Sequence, residues 1–496
     1  MGSLPLSSRG HAVFRSKPFC AVQEAARRTQ KEIYLVGGFW RDMALGRGRE
    51  AWDLDFCLPR GALRFGYGVA RSIRAAFVVL DKERGCGRLV WKDKAAGRSM
   101  TFDFIDFRGR DLREDLRGRD FTVNTLAWRL PFPLHEPVDL FGAQHDLSRG
   151  LIRMIGLKAF DEDPLRILRA YSLSALLGFK IEARTLRCAR RKAGLLRHVA
   201  GERLREELFK VLSVPDAYRF LKAMDADGVL KEVIPQVRLM HHVKQGGYHH
   251  LDVWEHSLET VRKLEGLLAR MEPAGPELAA YLAEPMAADR RRYQLMKMAA
   301  LLHDVGKPEA YEVQAGKTMF HGHERIGRVI CKDVTRRLKL ATREQEALDT
   351  MIFWHLRPGY LADNKVLTRR AVFRYFRDTG AEAVSVLLLA VADQRATRGP
   401  LASVSSRRRH EKVAFDLTRR YFEMQKEEPF VRLINGDDLI RLGLEPGPIF
   451  SRILTAVEEA QVDRRVKTKR EALALAKRVA LKARTSPQPA KRARKR

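Results

Sequence analysis

The stretch Ile33-Tyr34-Leu35-Val36-Gly37-Gly38-Phe39-Trp40-Arg41-Asp42, followed by Asp53-Leu54-Asp55, decides how the chain is read. Ile33 to Val36 is a compact apolar run closed by two glycines, the pattern of a buried strand entering a tight turn. Glycines at that place let the backbone approach a ligand closely. A helix starting there turns its free N–H groups toward phosphate, and Arg41 adds a forked charged donor. Asp53 and Asp55 stand two apart on a second short strand, Asp53 to Leu58, so both carboxylates point to one face. Such a pair suits Mg²⁺, which favours one or two carboxylates together with substrate phosphates. Asp103, in the strand-like run Thr101 to Phe107, offers a third carboxylate, so that two ions can activate a hydroxyl and steady a leaving pyrophosphate. A Gly-Gly turn is usually only a turn, and an Asp-x-Asp pair is usually a solvated face. Their order within one small unit carries the signal.

Outward from this core, Phe77 to Leu80 and Arg88 to Trp91 continue the strand pattern. Residues 31–150 therefore read as a small mixed α/β head, preceded by an N-terminal extension, 1–30, that is a polar lead-in and a short helix. After Gly150 the texture is helical, with apolar periodicity over Asp161 to Leu177, Glu202 to Leu212, Trp254 to Leu268 and Tyr293 to Leu302. Pro273 to Pro285, with three prolines, reads as a loop, and Gly399 to Ser406 as another break. The expected organisation past the head is all-α: a neck and RNA-binding region 151–240, a histidine–aspartate domain 241–400, a helical tail domain 401–480 and a basic tail 481–496. Ser486 to Arg496, rich in Pro, Ala, Lys and Arg, buries no core and is expected to be disordered. No internal repeat is visible.

Bulk properties agree. A chain of 496 residues exceeds one core, so two to four domains are expected. No apolar run is long enough for a membrane span or a secretory signal, which makes the cytoplasm the expected location. Five scattered cysteines without a CxxC indicate neither a disulfide framework nor a thiolate zinc site. Lysine and arginine total 93 against 61 acids, a net charge of +32. Fourteen basic residues and one acid fall between Arg464 and Arg496, and the remaining excess is spread along the chain. Such an excess suits a polyanionic partner, because Lys and Arg contacts to phosphate drive nucleic-acid affinity.

Two further constellations carry chemistry. Glu162-Asp163-Pro164-Leu165-Arg166 opens a predicted helix on which Asp163 and Arg166 share a face. An Asp accepts from an exocyclic amine and an Arg donates to ring nitrogens or carbonyls, so the pair can favour cytosine and adenine over uracil without a template. The bland alternative is a capped helix with an ion pair. Further on, His303-Asp304 follows an apolar helical run and precedes Val305-Gly306-Lys307, with His256, His321, His323, His355 and Asp393 as companions. Imidazoles with carboxylates suit a divalent metal with open positions for water, and such an ion can drive phosphoester hydrolysis. His241, His242, His249 and His250 read as loop or RNA-facing residues.

The head segment resembles class II CCA-adding enzymes and bacterial poly(A) polymerases of the nucleotidyltransferase superfamily. Their pattern is Gly-Gly-x-x-Arg-Asp followed by Asp-x-Asp, and further matches are Asp103 with Arg108, Glu114-Asp115-Leu116 and Arg119-Asp120-Phe121-Thr122-Val123-Asn124. The resemblance implies that Asp53, Asp55 and Asp103 are catalytic, with Mg²⁺ on Asp53 and Asp55. It implies that Gly37, Gly38, Arg41, Arg119, Asp120 and Asn124 hold the nucleotide. Asp163, Arg166 and Arg169 match the family's base-selecting helix, whose Glu-Asp-x-x-Arg is followed here by Leu168-Arg169-Ala170 and Leu177-Gly178-Phe179. Trp40 and Gly118 depart from the pattern, standing where a small aliphatic residue and a second arginine are common. The middle series resembles the HD phosphohydrolase superfamily, which implies His256, His303, Asp304 and Asp393 as ligands, with His323 and His355 for a second ion or the phosphate and His321 a bystander. Leu433 to Leu439 and Leu444-Glu445-Pro446-Gly447-Pro448 resemble the C-terminal segment of HD-bearing CCA-adding enzymes.

The implied function is template-independent addition of CCA, from CTP and ATP, to the 3′ end of tRNA, with no obligate protein partner. Poly(A) polymerase and CC-only or A-only addition are the near alternatives. A hydrolase governed by the HD domain, with a divalent metal of unspecified identity, and a non-catalytic RNA-binding protein are alternatives of other classes.

Overall fold

A computed structural model describes residues 13–47, 52–93, 98–131, 136–271, 275–401, 403–428 and 430–485. The chain forms two compact units that divide between Pro235 and Gln236.

The first unit is built on a mixed six-stranded sheet. Its strands are β1 (Ile33–Val36), β2 (Trp52–Leu58), β3 (Ala76–Asp81), β4 (Cys86–Asp93), β5 (Arg98–Asp106) and β6 (Ala127–Leu130), in the order β3-β4-β5-β2-β1-β6. Only β2 and β5 run parallel. All of β1 is buried, as its unbroken apolar run requires. In β2 the alternation sends Trp52, Leu54 and Phe56 inward and leaves Asp53 and Asp55 on the other face. Phe56 stacks between Phe102 and Phe104 of β5, with ring centroids 5.8 and 5.2 Å away. Burying each such ring contributes about 1.5–3 kcal/mol, so the strands that carry the acids are anchored from beneath. The helix Lys17–Thr29, capped by Ser16, covers the sheet with Phe19, Val22 and Ala26.

Beyond the sheet the unit is helical. The helix expected from Asp161 is instead two: Ala159–Glu162 stops at Asp163, and Leu165–Leu177 follows. Pro164 is the reason, since it lacks an N–H and pushes the preceding residue out of the helical region. Asp163 accordingly has extended backbone angles.

In the second unit the helix Ala383–Ala396 is apolar around its circumference and nearly all buried, so it lies at the centre. Val253–Met271 and Val404–Lys426 pack on it. A separate small core of Leu439, Ile453, Val457, Ala472 and Ala476 holds the helices Gly436–Arg441, Pro448–Val462 and Lys469–Thr485. Past the head the chain is mostly helical, as expected, with three short ribbons added: Leu151–Ile152 with Lys180–Ile181, Pro285–Ala287 with Arg290–Arg291, and Glu312–Gln314 with Lys317–Met319. Two expectations are corrected. The proline-rich loop contains the helix Pro276–Ala283, with Pro276 in its first turn, where a missing N–H costs nothing. The break at Gly399 to Ser406 is shorter, since the helix Val404–Lys426 starts inside it with Ser403 as cap. The polar lead-in up to residue 12 and the tail from Ser486 lie outside the described residues. Among the described residues no helix is long and apolar enough to cross a membrane, and all five cysteines are free.

Candidate active sites

In the head, strand register brings the three acids together. Asp55 lies directly beside Asp103 on the parallel neighbour, and Asp53 beside Thr101. Asp53 accepts a hydrogen bond from the Thr101 hydroxyl. Asp103 is gripped by both Nε and Nη2 of Arg88, each at 2.7 Å. Burial, with Asp103 and Asp53 as like-charged neighbours, raises the pKa of Asp55 despite the nearby Arg119. A carboxylate held up in this way gains from a cation, and three acids on adjoining strands fit Mg²⁺.

Gly37 explains why the turn must be glycine. Its φ is +88°, and a Cβ there would lie 2.8 Å from Asp55 Oδ2 and 3.1 Å from an Arg119 Nη. Behind the turn a polar chain links the motifs. Arg41 is buried and donates to Asp42 at 2.9 Å and to Asn124 Oδ1 at 2.6 Å. Asn124 donates to Asp120 at 2.9 Å, and Asp120 pairs with Arg169 Nε at 2.6 Å. Burial pushes the Asp120 carboxyl up, but Arg169 and hydrogen bonds from Asn124 and the Phe121 N–H outweigh it, and the net shift is down. Arg41 and Asn124 thus join the Gly-Gly turn to the Arg119-Asp120 segment and, through Asp120, to the helix Leu165–Leu177.

Asp163 and Arg166 do not pair with each other. Asp163 accepts two bonds from Arg203, at 2.8 and 3.1 Å, and one from the Leu165 N–H. Arg166, buried, donates to the carbonyls of Gly118 (2.5 Å) and Ala159 (3.2 Å) and to Glu162 (3.4 Å). Gly118, where the family often has arginine, offers its carbonyl to Arg108 as well as to Arg166.

In the second unit six residues from five helices and their ends converge. His256 comes from Val253–Met271 and Asp393 from Ala383–Ala396. His303 and Asp304 follow Arg292–Leu302, His323 opens His323–Arg337, and His355 follows Thr342–Trp354. Two triads, His256/His303/Asp304 and Asp304/His323/His355, each bring one ligand atom per residue within 4.8 Å of the others, with Asp304 shared. The Nδ1 atoms of His303, His323 and His355 lie 2.9, 2.8 and 2.7 Å from the carbonyls of Ala300, Phe320 and Ile352. Donation there leaves each Nε2 lone pair facing Asp304, the orientation a metal ligand needs. Val305-Gly306 turns against the His323 helix so closely that a Cβ on Gly306 would lie 2.1 Å from the His323 carbonyl.

The charge states suit a metal. Burial lowers the pKa of His355 to about 3, keeping it neutral, and lowers that of His256 despite its bond to Asp393. Burial pushes the Asp304 and Asp393 carboxyls up, but the surrounding histidines, together with Lys307 beside Asp304, bring both below the ordinary range. His303 is the exception: Asp304 and Asp393 raise it against burial. His303 Nε2 and Asp304 Oδ2 are buried without a well-directed hydrogen bond. The ionised carboxylates, with His256 and His355 held neutral, fit a divalent cation.

Several residues at these sites had not been assigned from the sequence. Arg88 and Arg203 hold acids of the first unit. Lys307 sits 2.7 Å from Asp304 Oδ2 and 2.6 Å from Gln245 Oε1. His249, read as a loop residue, packs its ring 4.6 Å from that of His256, and it lines, with His321, a cleft of about 940 Å³ beside the cluster. Only Lys307 had a visible signal, its place after His303-Asp304.

Four family models match in order: the poly A polymerase head domain over residues 33–153, the RNA and SrmB binding site of polymerase A over 178–240, the HD domain over 253–398, and tRNA nucleotidyltransferase domain 2 over 401–476. The chain is 33% identical over 451 residues to the A-adding tRNA nucleotidyltransferase of Deinococcus radiodurans, covering 90% of this chain and 94% of that protein. It is 32% identical to the CC-adding tRNA nucleotidyltransferase of Thermus thermophilus, covering 90% and 93%. Its fold matches the Thermotoga maritima CCA-adding enzyme, solved in complex with tRNA, at a TM-score of 0.58 and 22% identity over 93% of this chain and 94% of the other.

Proposed function

Because the chain belongs to the tRNA nucleotidyltransferase family, we propose that it completes the 3′-terminal CCA of tRNA from CTP and ATP, without a nucleic-acid template. The observation that carries this reading is the alignment of Asp53, Asp55 and Asp103 on adjoining strands beside the Gly37 turn. The RNA 3′ oxygen bonds to the α-phosphorus, the bond to the β-phosphate oxygen breaks, and pyrophosphate leaves. Asp53 and Asp55, joined by Asp103, would hold Mg²⁺, and the ion would supply charge neutralisation to the triphosphate. Gly37, Gly38 and Arg119 face the phosphates. Arg41, Asn124, Asp120 and Arg169 keep the turn and the selecting helix in register, while Asp163 and Arg166 distinguish C and A from U. The cytoplasmic setting and the domain boundaries read from the sequence belong to the same proposal.

A specific observation favours a narrower reading. Both relatives described above, which match nine tenths of the chain, carry names for only part of the sequence, A addition or CC addition. Incubation with tRNA lacking all three terminal nucleotides, or ending after CC, with CTP and ATP supplied singly and together, separates the cases. Full CCA on the shortest tRNA supports the first reading. Arrest after CC, or addition of A only to a CC end, replaces it with the second. Homopolymeric A tails would overturn both.

The HD cluster supports a second activity, hydrolysis of a phosphoester. His256, His303, Asp304 and Asp393 would hold one divalent ion, and His323 and His355, sharing Asp304, a second. Either ion would supply an acidified water.

A further inference from the structure

The acid-bearing face of the head sheet continues past its three carboxylates. Strand register sets one row of neighbours across five strands: Val36 of β1, Asp55 of β2, Asp103 of β5, Arg88 of β4 and Val78 of β3. A second row, Asp53, Thr101, Val90 and Ala76, runs beside it. Residues directly opposite one another share a face of the sheet. The other face is closed by the helix Ala62–Ile73, whose Phe65 packs on Phe104 with ring centroids 5.7 Å apart. The acid face stays open at its β3 end, where Ala76, Val78 and Arg88 are exposed. Val78, Val79 and Leu80 form three consecutive exposed apolar residues, at 51%, 53% and 49%. A surface that only has to stay in water avoids such a run.

The direction of the row matters for the reaction. Phosphoryl transfer places the attacking and leaving oxygens roughly in line across the phosphorus. In the addition reading the triphosphate stands on the β1 side of Asp55, where a Cβ on Gly37 would lie 2.8 Å from Asp55 Oδ2 and 3.1 Å from an Arg119 Nη. Pyrophosphate leaves on that side, so the attacking 3′ oxygen arrives from the other, over Asp103. The next strand in that direction is β4, about 10 Å from β2 at two strand spacings, and the cation it offers is Arg88. Asp103 fixes that cation at the border of the acids, accepting from Nε and Nη2 at 2.7 Å each. The grip takes two of the five N–H groups of a guanidinium, and the side chain is 44% exposed. Beyond it Val78 offers an apolar seat.

We propose that Arg88 and Val78 seat the attacking RNA strand: Arg88 takes the phosphate joining the last two nucleotides, and Val78 packs on the nucleotide before the last. This rests on the addition reading and names the residues that position its second substrate. Arg88 is a positioning residue; the bonds made and broken are those of nucleotide addition.

The test compares the unmodified protein with Arg88→Gln and Arg88→Lys on whichever tRNA is extended, made with its last internucleotide phosphate either charged or replaced by a neutral methylphosphonate. In the unmodified protein the neutral linkage is expected to raise KM for tRNA about tenfold, the scale of one charge-assisted hydrogen bond. Arg88→Gln is expected to raise it similarly on the charged linkage, and the neutral linkage then adds nothing further. Arg88→Lys keeps part of the response, and KM for the nucleoside triphosphate stays unchanged in all three proteins. If the neutral linkage costs Arg88→Gln as much as it costs the unmodified protein, Arg88 only steadies Asp103 and the proposal is overturned. A rise in KM for the triphosphate would assign Arg88 to the nucleotide and overturn it as well. A second measurement needs no turnover. The same tRNA with 4-thiouridine as its last-but-one nucleotide, irradiated on the unmodified protein, is expected to crosslink within residues 76–91, and crosslinks confined to other segments would overturn the proposal. If no nucleotide is added to any tRNA while the crosslink falls within 76–91, the seat stands and the addition reading alone fails.

Discussion

The head carboxylates and the HD cluster solve the same problem, holding divalent cations, in opposite ways. Asp53, Asp55 and Asp103 sit on the open face of a sheet, Asp53 is exposed, and Asp103 is committed to Arg88. Asp55, buried beside Asp53 and Asp103, is held toward its neutral form. The HD histidines and Asp304 are buried and Asp393 is half-buried, both acids are held ionised, and the imidazoles of His303, His323 and His355 are aimed by backbone carbonyls. The first arrangement needs the phosphates of a substrate to complete it. The second is close to complete without one. On the proposed reading, a site that releases pyrophosphate would gain from the looser set, and an ion kept in the HD cluster would gain from the tighter one.

The sharpest way to break this contrast is to remove one acid from each site. Asp53→Asn is expected to lower nucleotide addition about a thousandfold, the scale of losing charge stabilisation at a reacting phosphate, with RNA affinity nearly unchanged. Asp304→Asn is expected to leave addition intact and abolish phosphoester hydrolysis. If Asp304→Asn also stopped addition, the two centres would not be independent.

Metal retention gives the next effect. After desalting into metal-free buffer, elemental analysis is expected to find a divalent ion in the unmodified protein and in Asp53→Asn, and to find it lost in Asp304→Asn. Retention by the head after desalting would reverse the comparison. Mg²⁺ is also expected to raise the Tm in a pH-dependent way. The raised pKa of Asp55 contributes stability that is present below its unfolded pKa and lost as pH rises through the folded value. Mg²⁺ bound to the ionised form restores it, so the Mg²⁺-induced gain is largest near neutrality and fades as pH falls. The depressed pKa values of Asp304 and Asp393 act with the opposite sign: stability from them is present above the unfolded carboxylate range and lost as pH falls through the folded values. Calorimetry across pH, with and without Mg²⁺, reads both.

What was legible in the sequence follows from the same physics. β1 and β2 could be read almost to the residue, because a four-residue apolar run and a period-2 alternation of acids are local signals. The members of the HD cluster that the fold brings together were legible because each is a histidine or acid at a motif position. The polar partners in both units were not: Arg88 reaches Asp103 from the neighbouring strand, Arg203 and Gln245 reach Asp163 and Lys307 from distant segments, and a long polar side chain carries no periodicity that tells where its tip goes. The helix break at Asp163 was missed although Pro164 announces it, because the apolar spacing from Asp161 onward outweighed the proline.

That break also yields the smallest expected effect. With Asp163 outside the helix, Arg203 fixes the carboxylate by a two-pronged pair that is about half exposed on the arginine side. An exposed pair of this kind contributes only about 0–1 kcal/mol to stability, so Arg203→Ala is expected to shift the Tm little. Its consequence lies in selection. A freed Asp163 samples orientations that do not meet an exocyclic amine, and discrimination of CTP and ATP from UTP is expected to fall several-fold, at about 1 kcal/mol, while kcat with the preferred nucleotide changes less. Single-nucleotide incorporation with each triphosphate measures it. If selectivity is unchanged while Asp163→Ala destroys it, Asp163 is held by the Leu165 N–H alone and Arg203 serves only packing. If neither variant changes selectivity, the base is chosen elsewhere, and the helix Leu165–Leu177 is left with a supporting role beside the three acids.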